Sequence, residues 1–128
     1  SQLEGKVFAL WGLAFKPNTD DIREAPALVI INELLQAQAK IRVFDPVAME
    51  NTKNVMGNKI TYCSTAYEAA EGADGLILAT EWNEFRHSDL KRLKSLMKNP
   101  VIFDGRNIFN PKILKQNGFS YYGVGRKA

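Results

Sequence analysis

Two cations stand out among the residues of this sequence that could do chemistry. Lys16 and Arg106 both suit a phosphate, the lysine as a point charge and the arginine as a planar fork able to hold two oxygens. Lys16 lies in Gly12 to Pro26, GLAFKPNTDDIREAP, which sets Lys16, Asp20, Asp21, Arg23 and Glu24 between two apolar runs. Taken singly, each cation could equally be a surface charge or a partner for Asp20, Asp21 or Asp104. Arg23 has Asp20, Asp21 and Glu24 near enough to absorb it in an ion pair, and the two aspartates read as caps for loop amides rather than as acid–base groups.

Other chemistries lack their residues. No G-x-G-x-x-G or G-x-x-x-x-G-K-[ST] follows the first apolar run, so no self-sufficient dinucleotide or P-loop site is expected. His87 has no neighbouring Cys or second His for zinc, and Cys63 has no adjacent base in sequence, which makes it a buried structural thiol. Trp82 and Phe85 read as packing for a loop. Gly12-Leu13-Ala14 does not supply the acidic pair of a phosphorylated receiver domain.

The elements that must position these groups alternate between strand and helix. Apolar runs at Lys6 to Trp11, Ile41 to Phe44, Ile60 to Cys63, Leu76 to Ala79 and Val101 to Phe103 have the length and continuity of strands buried on both faces, with Ser120 to Val124 as a sixth. Between them, Ala27 to Ala39 reads as a helix with Pro26 in its first turn and Leu28, Ile31, Leu34 and Leu35 on one face. Ala48 to Met56 reads as a weak, polar helical turn or loop. Thr65 to Glu71 reads as a short helix capped by Ser64 and ended by Gly72. Ser88 and Asp89 open another carrying Leu90, Leu93, Leu96 and Met97, and Pro111 starts a last one that Gly118 closes. This order predicts an α/β fold, a three-layer α/β/α Rossmann-like domain with a mostly parallel sheet of five to six strands. Lys16 to Arg23, Asp45, Thr80 to Trp82 and Asp104 to Asn107 then all fall at the C-terminal edge of that sheet, where ligands bind.

Composition fits one domain with a real core. The 128 residues are 45% hydrophobic and 24% charged, with a net charge of +3 and one cysteine. The basic residues are scattered, which favours a solvated surface over nucleic acid, and Arg126-Lys127 reads as a frayed end. A single cysteine fits a reducing cytoplasm, and no apolar run approaches the ~18 residues of a membrane span. Residues 1–128 are expected to be a single domain cut from a longer protein, with residues 1–5 a linker or a cloning remnant.

Phe15-Lys16-Pro17-Asn18-Thr19-Asp20-Asp21, Arg23-Glu24-x-Pro26, Asp45-Pro46, Thr80-Glu81-Trp82-x-x-Phe85 and Asp104-Gly105-Arg106-Asn107, in this order, closely resemble the C-terminal domain of the UDP-glucose/GDP-mannose dehydrogenases. The resemblance implies a Rossmann-like domain that holds the UDP part of a nucleotide sugar. It also implies an N-terminal NAD-binding domain and a helical, dimer-forming middle elsewhere in a longer homodimeric enzyme, which oxidises the sugar's primary alcohol to a carboxylate in two NAD-dependent steps. Phe15, Lys16 and Arg106 would contact the nucleotide sugar, Lys16 near the diphosphate. Arg23 would face NAD, and Trp82 would shape the pocket. The catalytic thiol and lysine would lie in the other domains, since Cys63 does not match their motif, so this domain alone would be inactive. Ala25 stands where many relatives have Ser, which removes a cap hydroxyl. The wording is most similar to the UDP-glucose branch, ahead of UDP-N-acetylmannosamine and GDP-mannose. The rival reading is a non-catalytic nucleotide-sensing or interaction module on the same fold.

Overall fold

The structure, a computed structural model, describes residues 3–23 and 25–123. Six strands, β1 (Val7–Trp11), β2 (Lys40–Phe44), β3 (Thr61–Tyr62), β4 (Gly75–Leu78), β5 (Val101–Asp104) and β6 (Ser120–Gly123), pair in parallel in the order β3-β2-β1-β4-β5-β6. The order reverses between β1 and β4, which opens a crevice above that pair of strand ends. The expected three-layer Rossmann-like fold is the one observed. Arg126 and Lys127, and Val124 at the expected end of β6, lie outside the described residues.

Helices α1 (Pro26–Gln36) and α2 (Met49–Met56) cover one face of the sheet. Ala27 and Ile31 are buried there with Leu10, Ile41 and Val43, and Leu28, Leu34 and Leu35 pack around them. The other face carries α3 (Ala66–Ala70), α4 (Asn83–Arg86), α5 (Leu90–Leu96) and α6 (Pro111–Gln116) over a larger core built on Trp11, Leu76, Leu78, Phe85 and Ile102. Trp11 is wholly buried, and its indole Nε1 donates to the Ala66 carbonyl at 2.9 Å, so β1 and α3 are joined by a satisfied polar contact inside the core. Cys63 is buried at 4% exposure, as expected.

Several boundaries differ from the sequence expectation. Helix α1 stops at Gln36 rather than Ala39, because Gln38 turns into the left-handed region (φ 66°) and the Ala39 amide closes on the Leu34 carbonyl. Of the helical turn or loop expected over Ala48 to Met56, the helical alternative is found, as helix α2, followed by a 3-10 turn over Gly57–Lys59. The cap of α3 is Thr65, whose hydroxyl accepts from the Glu68 amide, while the Glu68 carboxylate accepts from the Ser64 amide. Pro26, Asp89 and Gly118 take the expected terminal positions. Ala25 is the N-cap of α1 and makes no side-chain capping bond.

Candidate functional site

The first loop is fixed to the sheet before its charged part begins. Gly12 follows β1 with φ +98°, and a Cβ on it would stand 2.4 Å from the Thr80 Oγ1, so only glycine fits where β1 and β4 part. The Leu13 amide donates to Asp45 Oδ2 at 2.8 Å, and the Thr80 hydroxyl donates to the Ala14 carbonyl at 2.6 Å. Asp45 is wholly buried at the end of β2, and its second oxygen accepts from the Val47 and Ala48 amides at 2.9 and 2.8 Å. Three amide donors offset the cost of burying this carboxylate. Asp45 is therefore at the strand mouth, as its place before Pro46 implies, and it works as a clamp between β1 and α2.

A second buried carboxylate holds the loop after β5. Asp104, 1% exposed, accepts from the Arg106 amide at 3.1 Å, the Phe109 amide at 2.9 Å and the Tyr121 hydroxyl at 2.8 Å. These bonds set Arg106 at the crevice. Its guanidinium Nη2 bonds Glu81 Oε1 at 2.8 Å and the Phe15 carbonyl at 3.1 Å, and its Cζ lies 5.6 Å from the Phe15 ring centroid. Arg106 and Phe15, 91 positions apart in sequence, thus form one unit across the switch point. The expected carboxylate partners for Arg106 were Asp20, Asp21 or Asp104; the partner found is Glu81, because the end of β4 lies between β1 and β5.

Beyond Phe15, which is 51% exposed, the loop opens to solvent. Phe15, Lys16, Thr19, Asp21 and Arg23 line a depression of about 260 Å³. Lys16 is exposed and, among the described residues, makes no ion pair. Arg23 grips Asp21 with two bonds, Nε to Oδ1 at 3.0 Å and Nη2 to Oδ2 at 2.9 Å. These bonds hold the Asp21 carboxyl down at about 2, and the same pairing raises the Arg23 guanidinium above its usual value. Asp21 also accepts from the Arg23 amide, so it caps the loop as expected. Among the described residues, Asp20 is tied only through its carbonyl, which accepts from the Asn51 side chain of α2 at 2.8 Å. Glu24, the other candidate partner of Arg23, lies outside the described residues.

The arrangement can hold an anion next to the Phe15 ring, with Arg106 bound to the Phe15 carbonyl and Lys16 the next residue along the loop. Cys63 is not activated as a thiolate: burial pushes its thiol up, and the nearby Arg42 only partly opposes this. Phe85 is wholly buried and Trp82 packs against the same core, so both serve as packing. Sequence reasoning placed Thr80 to Trp82 at this edge without a role for Glu81. Its signal was available in the acidic residue immediately after a strand that borders the switch point.

Residues 9–111 match the family model described as the UDP binding domain of the UDP-glucose/GDP-mannose dehydrogenase family. A UDP-glucose 6-dehydrogenase of Pseudomonas aeruginosa is 43% identical over 128 residues, across 96% of this chain and 28% of that protein. The UDP-glucose 6-dehydrogenase YwqF of Bacillus subtilis is 44% identical, across 97% of this chain and 28% of that protein. Among solved structures, a UDP-glucose dehydrogenase from Pyrobaculum islandicum superposes with a TM-score of 0.82 at 32% identity, across 98% of this chain and 26% of that one. The chain spans about 28% of the length of the curated relatives it matches.

Proposed function

Because the chain belongs to the UDP-glucose/GDP-mannose dehydrogenase family, as its UDP-binding domain, we propose that it is the nucleotide-sugar-binding part of a longer NAD-dependent UDP-glucose 6-dehydrogenase. The observation that carries this reading is the unit of Phe15, Glu81 and Arg106 at the switch point, with the exposed Lys16 beside it. Phe15, Lys16 and Arg106 hold the nucleotide sugar, the two cations neutralising its diphosphate. Arg23, pinned by Asp21 at the outer rim of the loop, faces the cofactor.

NAD is bound mainly by the remainder of the longer protein, which also supplies the catalytic thiol and lysine. NAD accepts hydride there; this domain positions the sugar and holds its charge. Residues 1–128 act as one domain, with residues 1–5 a linker, in a homodimeric cytoplasmic enzyme. The preference for UDP-glucose is supported by its relatives at 39–44% identity, all named UDP-glucose 6-dehydrogenases.

The test is NAD reduction by the full-length protein with UDP-glucose, UDP-N-acetylmannosamine and GDP-mannose in parallel. The highest kcat/KM is expected with UDP-glucose. Turnover of either other sugar in preference would overturn the substrate, and turnover of none would overturn the enzymatic reading.

A further inference from the structure

The basic residues are scattered along the sequence, but the fold collects five of them. The connections β4 to β5 and β5 to β6 run in one direction across the sheet, so their right-handed crossovers put α5 and α6 next to each other on the face away from α1 and α2. Their inner sides, Leu93, Met97 and Leu114, are buried in one core, and the Lys94 amine lies against Gly118, just past the end of α6. The outer sides are rich in lysine. Lys91 and Lys94 are one turn apart on α5, Lys98 follows two residues past its end, and Lys112 and Lys115 are one turn apart on α6. All five are exposed, and none makes an ion pair among the described residues. Residues 90–120 carry seven Lys and Arg against one acid, Asp104, which is 1% exposed and holds three donors inside the fold. Residues 1–89 carry eight against thirteen, so a chain of net charge +3 concentrates its positive charge on this face.

We propose that the outer face of α5 and α6 docks on an anionic phospholipid surface. The carboxylates at the ends of α5 are engaged elsewhere: Asp89 accepts from the Arg92 amide, and Asp74 accepts from the Val7 amide and the Asn99 side chain. Lys91 and Lys98 stand about 10 Å apart along the direction of α5, so the five amines span several headgroups rather than converging on one phosphate. Ile113, between the two lysines of α6, is 48% exposed and supplies an aliphatic contact at the level of the headgroups, with the lysine stems spread around it. Nucleic acid fits this face less well. The exposed aromatics among the described residues are Phe15 on the first loop and Phe103 and Tyr122 on the opposite side of the sheet, so no base has a ring to stack on here. Arg92, the one guanidinium of α5, already lies over the Tyr67 ring at 4.1 Å. The crevice opens at the C-terminal edge of the sheet rather than on this face, so docking leaves the ligand site open.

The test is co-sedimentation of the full-length protein with phosphatidylcholine vesicles, with and without phosphatidylglycerol. Binding is expected only when phosphatidylglycerol is present, and it should fall as salt is raised beyond about 0.1 M, where the screening length is ~10 Å. Lys112→Gln with Lys115→Gln should weaken it about 25-fold, at ~5-fold for each cation withdrawn from an anionic surface. Lys91→Gln with Lys98→Gln is a second pair, on α5, for which the same loss is expected. Lys40→Gln with Lys59→Gln removes equal charge from exposed positions at the β2–β3 end of the sheet and should leave binding unchanged. The unfolding temperature of each variant is expected to match wild type, since all these lysines are exposed. No binding to the phosphatidylglycerol vesicles, or an equal loss in the Lys40/Lys59 pair, would overturn the proposal. So would capture of a homopolymeric RNA by a protein that leaves the vesicles unbound.

Discussion

Arg106 is held by Glu81 at a half-buried position, the two side chains being 24% and 33% exposed. Such a pair contributes at most about 1 kcal/mol to stability, so its larger effect is on where the guanidinium points. Glu81→Gln in the full-length enzyme is expected to raise KM for the nucleotide sugar several-fold, with kcat and the unfolding temperature nearly unchanged. A fall in kcat alone would argue for a different role. Asp21 gives a test by pH. Its carboxyl is lowered from 3.8 to about 2 by the Arg23 side-chain and backbone bonds. A depressed folded value means the pair's contribution is complete above pH 4 and is lost as pH falls through about 2. In carboxyl NMR titrations Asp21 should titrate near 2 and return toward the ordinary ~4 in Arg23→Ala; an unchanged midpoint would refute the pairing. At this scale the meeting of Arg106 with the Phe15-Lys16 loop was legible because their strand ends share an edge. The choice of Glu81 as partner was not, since it depends on which strand lies between β1 and β5.

Each loop at the crevice is set by one buried carboxylate and one neighbour. Asp45→Ala would leave the Leu13, Val47 and Ala48 amides without their acceptor, at a cost of about 3 kcal/mol or more. A lower urea midpoint is expected, together with weaker ligand binding because Phe15 and Lys16 lose their anchor. A midpoint within error of wild type would contradict the clamp. The strands were readable from their apolar runs, and Pro26, Asp89 and Gly118 from the requirements of helix ends. Helix α2 was legible only as a weak helical turn or loop, because MENTKNVM buries only Thr52 and Met56, and its entry is fixed by the Asp45 carboxylate three residues before Ala48. The four-residue α4 is too short to carry a period.

Across the whole molecule, the parallel pairing followed from the alternation of elements, whereas the strand order and the bare half-face it leaves did not. Phe103 and Tyr122 look in sequence like any buried strand residues, and only the sheet order exposes them. The same order brings Lys16 and Arg106 to one crevice from opposite ends of the chain. The proposal that they jointly hold the diphosphate is tested most directly by kcat/KM for UDP-glucose in full-length Lys16→Ala and Arg106→Ala. Each variant is expected to lose about 10-fold or more, the worth of one charge-assisted contact, while remaining folded. Wild-type kcat/KM in both would contradict the assignment of this crevice as the nucleotide-sugar site.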